Sequence, residues 1–282
     1  MEKYTLIGYP LGHSMSPMIH ERLFAMKGRE ASYDLTEIAP EDLESKIPML
    51  RELKGFNVTI PHKQAIIPYL DGIGESAARY NSVNCVVNEG GKLIGYNTDC
   101  DGFLRSVEKY PMDKKVLLIG CGGVGRMMAI EAVRSGADLT IGIIPCDKER
   151  ADILKEEIFA MEPDAKITVK LNEEIDDSFD VILNACPVGM YPKTEGCPVK
   201  DSLIEKCGCV FDVVYNPTET TLMKKARSLG KTAIGGSAML VLQAVKAHEL
   251  WNDDFYTDEQ TDEIISAMEK QICEQFPAKE AE

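Results

Sequence analysis

Three short runs hold the side chains and backbone best suited to chemistry: Asn57-Val-Thr59-Ile-Pro-His-Lys63, Asn97-Thr-Asp99, and Gly120-Cys-Gly122-Gly123-Val124-Gly125. A lysine serves as acid or base when partial burial and neighbouring groups bring its pKa toward the working pH, and a carboxylate such as Asp99 orients it. Lys63 and Asp99 are therefore a candidate proton-transfer pair, with amides and hydroxyls beside them that suit a hydroxylated small molecule. The glycine run follows an apolar strand and opens a helix, the context in which G-x-G-x-x-G lets backbone approach a pyrophosphate at a helix N-terminus. Together the runs point to a dehydrogenase. The competing readings are ordinary ones: a tight turn without a ligand, a surface lysine, and an Asn-Thr-Asp turn.

A dinucleotide fingerprint also calls for an acid about 20 residues on, at the end of the second strand, to hold ribose hydroxyls. That strand ends here in Gly142-Ile143-Ile144-Pro145, and Asp147, Lys148 and Arg150 follow. Asp147 suits a 2′-hydroxyl, whereas Lys148 or Arg150 suits a 2′-phosphate, so NAD and NADP both stay open. Solvated charges at a helix start are the alternative. Ser14 and Ser16 flank another helix start, where free N–H groups and hydroxyls favour a carboxylate. Ser16 before Pro17 also reads as the helix cap, a role compatible with ligand binding.

The elements that position these residues alternate. Strands are expected at 4–8, 32–37, 56–60, 83–88 and 92–96, with helices at 17–27, 40–53 and 101–110. Lys63 then lies just past the carboxyl end of a strand, the usual binding edge of an open α/β sheet. The turn at 111–114 precedes a new pattern. It comprises an apolar strand from 115, the glycine loop, a helix through 135, strands at 138–144, 167–171, 180–184 and 209–214, and a helix near 150–161. This is the alternation of a doubly wound nucleotide-binding domain. Two helices, at 238–251 and 257–276, close the sequence before a polar tail expected to fray.

With 282 residues the chain is long enough for two cores. Its net charge of −15 disfavours nucleic acid and anionic membrane surfaces, which call for a basic patch. There is neither a signal-like start nor an apolar run long enough to span a bilayer, so a cytoplasmic location is expected. The nine cysteines lack paired C-x-x-C spacing and read as reduced, mostly buried thiols.

In order along the chain, these motifs resemble the shikimate dehydrogenase family, including its quinate/shikimate branch. The resemblance rests on Gly8-Tyr-Pro-Leu-Gly-His-Ser14-Met-Ser16-Pro, the Asn57 to Lys63 run, Ser82-Val-Asn84, Gly95-Tyr-Asn97-Thr-Asp99 and the glycine loop. It continues through Asn184-Ala-Cys-Pro-Val-Gly-Met190, Asp212-Val-Val-Tyr215-Asn-Pro and Met239-Leu-Val-Leu-Gln243. It implies an α/β protein with two domains: an N-terminal substrate domain and a C-terminal doubly wound Rossmann NAD(P)-binding domain. The expected divisions are 1–104, 105–236, and 237–282 as C-terminal helices packing back on the N-terminal domain.

By the same resemblance the activity is NAD(P)-dependent interconversion of 3-dehydroshikimate and shikimate in aromatic amino acid biosynthesis. NAD-dependent quinate oxidation or a non-catalytic shikimate-binding relative are the alternatives. Ser14 and Ser16 hold the substrate carboxylate, and Asn57, Thr59, Asn84, Asp99 and Gln243 grip ring hydroxyls. Lys63 and Asp99 are the catalytic pair, Tyr215 adds a contact near the carboxylate, and Met239 lies near the nicotinamide. Met239 and Gln243, four apart, share a helix face. No metal is called for, and a monomer or homodimer is expected.

Departures cluster on the dinucleotide side. The Asn-Arg-Thr common in NADP-using members is replaced by Ile143-Ile144-Pro145, with Arg150 resembling its later arginine. Asp-Gly-Leu-Gly-Met becomes Gly235-Gly236-Ser237-Ala238-Met239, and cysteines replace threonine at 85 and 186.

Overall fold

The computed structural model describes residues 1–12 and 14–276. His13 and the polar tail after 276 lie outside the described residues. The described chain forms two compact units, residues 1–102 with 241–268, and residues 103–240 with 269 onward.

The first unit is built on β1 (Glu2–Gly8), α1 (Ser16–Met26), β2 (Ala31–Glu37), α2 (Leu43–Leu50), β3 (Gly55–Val58), α3 (His62–Ala65), β4 (Gly72–Ile73), α4 (Glu75–Tyr80), β5 (Cys85–Glu89) and β6 (Lys92–Tyr96). Its sheet has the order β2-β1-β3-β5-β6-β4. β1 pairs in parallel with β2 and β3, whereas β3–β5 and β5–β6 are antiparallel. The sheet is therefore mixed. The buried run of β1 fits its central place, since a strand covered on both faces carries apolar residues at every position.

Two corrections to the expected elements matter for the site. The strand expected at 56–60 is β3 and ends at Val58, so the chain turns at Thr59 to Pro61 and Lys63, past the strand's carboxyl end, stands in the short helix α3. The expected cap Ser16 is instead the first helical residue of α1; Met15 occupies the cap position without a side-chain bond, and the Ser14 hydroxyl accepts from the Ser16 N–H at 3.2 Å. The helix expected at 40–53 begins with a 3-10 turn at Pro40–Asp42 and ends at Leu50. The helix expected at 101–110 is α5, Asp99–Ser106, which puts Asp99 at its first residue.

The second unit holds β7 (Lys115–Ile119), α6 (Gly123–Arg134), β8 (Asp138–Ile143), α7 (Lys148–Met161), β9 (Lys166–Leu171), β10 (Val181–Asn184), α8 (Asp201–Lys206), β11 (Cys209–Asp212), α9 (Thr221–Ser228) and β12 (Thr232–Gly235). Its six strands run parallel in the order β12-β11-β10-β7-β8-β9. From β7 the chain adds strands on one side, then returns to place β10 on the other. That reversal is the topological switch point at which open α/β sheets bind ligands, outside the strand carboxyl ends. Val116 to Ile119, Val181 to Leu183 and Val210 to Phe211 are buried, as a parallel sheet covered by helices requires.

The chain ends in α10 (Gly236–Asn252) and α11 (Asp258–Gln275). Both helices are shared: 241–252 and 258–268 belong to the first unit, and 236–240 and 269–275 to the second. This differs from a segment 237–282 belonging wholly with the N-terminal domain; beyond Met268, Phe276 meets the Tyr191 ring at 5.2 Å within the second unit. Among the described residues no helix is long and apolar enough to cross a membrane.

In the first unit Trp251 anchors α10. Its indole N–H donates to Val86 O at 2.9 Å, its ring lies 4.7 Å from that of Tyr4, and it fills the space over Gly55. A Cβ at Gly55 would overlap the indole. Overpacking of a filled core costs about 1–3 kcal/mol, so Gly55→Ala is expected to lower the urea midpoint of unfolding. An unchanged midpoint would show that the indole can move away.

Candidate active site

Asn84, just ahead of β5, organises the polar cluster of the first unit. Its Nδ2 donates to Asp99 Oδ1 at 2.9 Å and to Thr98 Oγ1 at 3.1 Å, and its Oδ1 accepts from the Thr98 N–H at 2.6 Å. Its backbone oxygen accepts from Asn57 Nδ2 at 3.0 Å. The other carboxylate oxygen of Asp99 meets Lys63 Nζ at 2.6 Å, in a pair with 27% and 21% of the two side chains exposed. That exposure leaves both groups reachable from solvent while much of each is covered. Gln243, on α10, approaches the same cluster, its Oε1 accepting from Thr98 Oγ1 at 3.3 Å and from Asn84 Nδ2 at 3.4 Å.

Local structure fixes each member. The Asn97 side chain accepts from the Asp99 N–H at 3.1 Å and donates to Ser82 O at 3.0 Å, which locks the bend into α5. His62, next to Lys63, is buried with Nε2 2.7 Å from Ile38 O, and Lys63 O accepts from the Val83 N–H at 2.8 Å. Lys63 therefore leaves a backbone tied on two sides. Thr59 donates its N–H to Ile7 O at 2.9 Å from a partly exposed position in the same turn.

Tyr33, on β2, has no place in the sequence reading, yet it touches this cluster. Its buried phenol donates to Asn57 Oδ1 at 2.7 Å, while burial holds its pKa well above the usual value. Its ring stacks on His20 at 4.0 Å and 8°. His20 Nδ1 lies 3.1 Å from His248 Nε2, His248 Nδ1 lies 3.0 Å from the Tyr256 hydroxyl, and that hydroxyl donates to Leu23 O at 3.0 Å. Leu23 O can only accept, so Tyr256 must accept from His248 Nδ1–H, and His248 Nε2 must accept from His20 Nδ1–H. Burial keeps both imidazoles neutral, with His248 lowered to about 3. A tyrosine in an alternating strand and a histidine on a helix face both look like core, so only contacts between distant segments reveal this chain.

The glycine loop lies in the second unit, at the switch point. Gly120 has φ +94°, and a Cβ there would come within 3.2 Å of Cys186 Cβ. At Gly125 a Cβ would overlap Gly120 O, whereas at Gly122 and Gly123 it would meet nothing within 4 Å. The loop is thus tight on its inner side and open above the start of α6, next to Val124. Open backbone at the N-terminus of a 12-residue helix fits a pyrophosphate, because the first-turn N–H groups lack helical partners.

Beyond β8, Asp147 and Arg150 pair at 3.0 Å, and Lys148 pairs with Asp152. The Asp147 backbone O lies 3.9 Å from Cys121 Sγ of the glycine loop, which sets the pair beside that loop. At the carboxyl ends of β10 and β11, buried Asp212 accepts from Asn184 Nδ2 at 2.8 Å, Val214 N–H at 3.0 Å and Thr220 Oγ1 at 2.7 Å. Burial nevertheless pushes its carboxyl up. This network holds the loop that carries Tyr215, which is 37% exposed. Met239 is buried near the start of α10.

The structure thus gathers Lys63, Asp99, Asn84, Asn57 and Gln243 into one connected cluster, to which Tyr33 is joined through Asn57, while Ser14 and Ser16 meet each other at the start of α1. It sets Gly120 to Gly125, Asp147 and Arg150 around one loop, and Tyr215 and Met239 elsewhere in the second unit.

A sequence profile described as shikimate dehydrogenase substrate binding domain matches residues 6–86. The shikimate dehydrogenase (NADP(+)) of Caldanaerobacter subterraneus subsp. tengcongensis is 37% identical over 264 residues, spanning 90% of this chain and 92% of the relative. The chain belongs to the shikimate dehydrogenase family. Among solved members, the Thermus thermophilus enzyme in complex with NADP(H) and shikimate superposes with a TM-score of 0.83 at 28% identity, over 95% of this chain and 100% of that one. The Listeria monocytogenes enzyme in complex with shikimate and NAD gives 0.82 at 29%, over 94% and 96%. Family members therefore include complexes with either dinucleotide.

The buried histidines give this family member a pH signature. Unfolded histidine binds a proton below about 6.5, whereas folded His248 resists until about 3, and His20 shifts the same way. The stabilisation is complete above pH 6.5 and is lost as pH falls from there toward 3. Urea midpoints are expected to drop between about pH 7.5 and about pH 5, and His248→Gln to flatten that slope.

Proposed function

We propose that the protein catalyses the reversible NAD(P)-dependent reduction of 3-dehydroshikimate to shikimate. The observation that carries this reading is the Lys63–Asp99 contact at 2.6 Å, with Asn84 bonded to the opposite carboxylate oxygen. When bound, the dinucleotide supplies or accepts a hydride at nicotinamide C4. In reduction, Lys63 gives a proton to the ketone oxygen as the carbon gains hydride; in oxidation, Lys63 takes the hydroxyl proton. Asp99 keeps the ammonium aimed and accepts from a neighbouring substrate hydroxyl. A fixed donor and acceptor lower the orientational cost of the reaction.

Asn57, Thr59, Asn84 and Gln243 supply amide and hydroxyl groups to the ring hydroxyls. The carboxylate goes to Ser14 and Ser16 at the start of α1, where helix polarity favours an anion. The backbone from Gly120 to Gly125 holds the pyrophosphate. Tyr215 and Met239 keep the substrate-side and nicotinamide-side roles implied by the family motifs. Replacing Lys63 with alanine is expected to reduce kcat by about 10²–10⁴-fold, read as nicotinamide absorbance with shikimate as substrate. Unchanged turnover would remove Lys63 from the mechanism.

Asp147 and Arg150 set the preference between dinucleotides. Asp147 can accept ribose hydroxyls but repels a 2′-phosphate, and its contact with Arg150 engages the cation that such a phosphate would use. In Asp147→Ser, Arg150 is released and the ratio of kcat/KM for NADP over NAD is expected to rise about fivefold, the scale of one exposed ion pair. A panel of shikimate and quinate against both dinucleotides supplies the baseline. A ratio that stays level or moves toward NAD would place the adenosine ribose away from this pair.

A further inference from the structure

We infer that Tyr33 is a positioning residue for substrate binding: it orients Asn57 from beneath while touching neither substrate nor dinucleotide. The inference rests on the reading of the first-unit cluster as a shikimate site. It adds a residue that the sequence motifs leave out.

Asn57 shows what the phenol does. The amide has two donor hydrogens and one acceptor oxygen; the oxygen accepts from Tyr33 at 2.7 Å and one hydrogen goes to Asn84 O at 3.0 Å. With both ends engaged the amide has one rotational state, leaving its second N–H as the remaining donor. Asn57 therefore meets a ligand oxygen as a donor of fixed direction. Without the phenol, the buried amide oxygen loses its partner and the amide loses its second tether.

Tyr33 is itself kept in place by ring contact. It lies flat on His20, which donates to His248, which donates to Tyr256, which donates to Leu23 O. The remaining His20 nitrogen, Nε2, is buried and has no hydrogen-bond partner among the described residues. The chain has one direction and ends on a backbone oxygen, so His20 has a single ring orientation on which Tyr33 stacks. Buried networks of this kind specify geometry when their members are committed to partners.

The test compares Tyr33→Phe, which keeps the stack and removes the hydroxyl, with Tyr33→Leu, which removes both. For Tyr33→Phe the shikimate KM, and the Kd from calorimetry without dinucleotide, are expected to rise about tenfold, the scale of a lost buried hydrogen bond. The kcat and the dinucleotide KM are expected to stay at wild-type values. Tyr33→Leu is expected to show the same acid-side defect together with a lowered Tm. A wild-type shikimate KM and Kd in Tyr33→Phe, or equal losses for acid and dinucleotide, would overturn the inference. If the wild-type protein neither binds nor turns over shikimate, the functional reading fails, and a crystal structure of Tyr33→Phe then decides positioning separately. A displaced Asn57 side chain would support it, and an unmoved one would overturn it.

Discussion

An ammonium and a carboxylate in contact hold each other's charge but do not by that attraction acquire a fixed position, since a lysine stem and a short acid can turn together. In the first unit the position comes from Asn84. Its amide binds the Asp99 oxygen that Lys63 leaves free, its oxygen takes the Thr98 N–H ahead of α5, and its backbone oxygen receives Asn57. Asn84 joins β5 to the start of α5, and Asn57 brings in β3. Remove this residue and the ion pair persists as chemistry while losing its address.

The second unit solves a different problem with almost no side chains. A parallel sheet that reverses its winding beside β7 leaves room past the strand ends, and the glycine loop shapes that room with backbone alone. Tight contact at Gly125 and openness at Gly122 and Gly123 are two sides of the same turn. What side chains add lies at the margin, where Asp147 and Arg150 answer each other. The two units thus divide the labour: one uses directional amides and a charged pair, the other exposed backbone N–H groups.

How much of this was legible in the sequence depends on the range of the interaction. The alternating fold, the glycine loop and the pairing of Lys63 with Asp99 were readable because short runs of residues carry them. Helix α3 and strand β4 were not, since elements of 4 and 2 residues owe their form to the surrounding packing. The cap on α1 is not decided by the local sequence because Ser14 and Met15 compete with Ser16 for the same turn. Tyr33 and His20 stayed hidden for a plainer reason: their spacing fits a core strand and a core helix face. His20 meets His248 across 228 residues of chain, and no local pattern records that contact.

The start of α1 separates two requirements that many sites combine. Because the helix draws no cap from the Ser16 hydroxyl, the carboxylate role proposed for residue 16 would be coupled only weakly to folding. Asn57 and Tyr33, embedded in the buried network, would under the same proposal carry both obligations at once. On that proposal, variation at residue 16 would let substrate range drift with little effect on the scaffold, whereas the same drift through Tyr33 would disturb the network on which it rests.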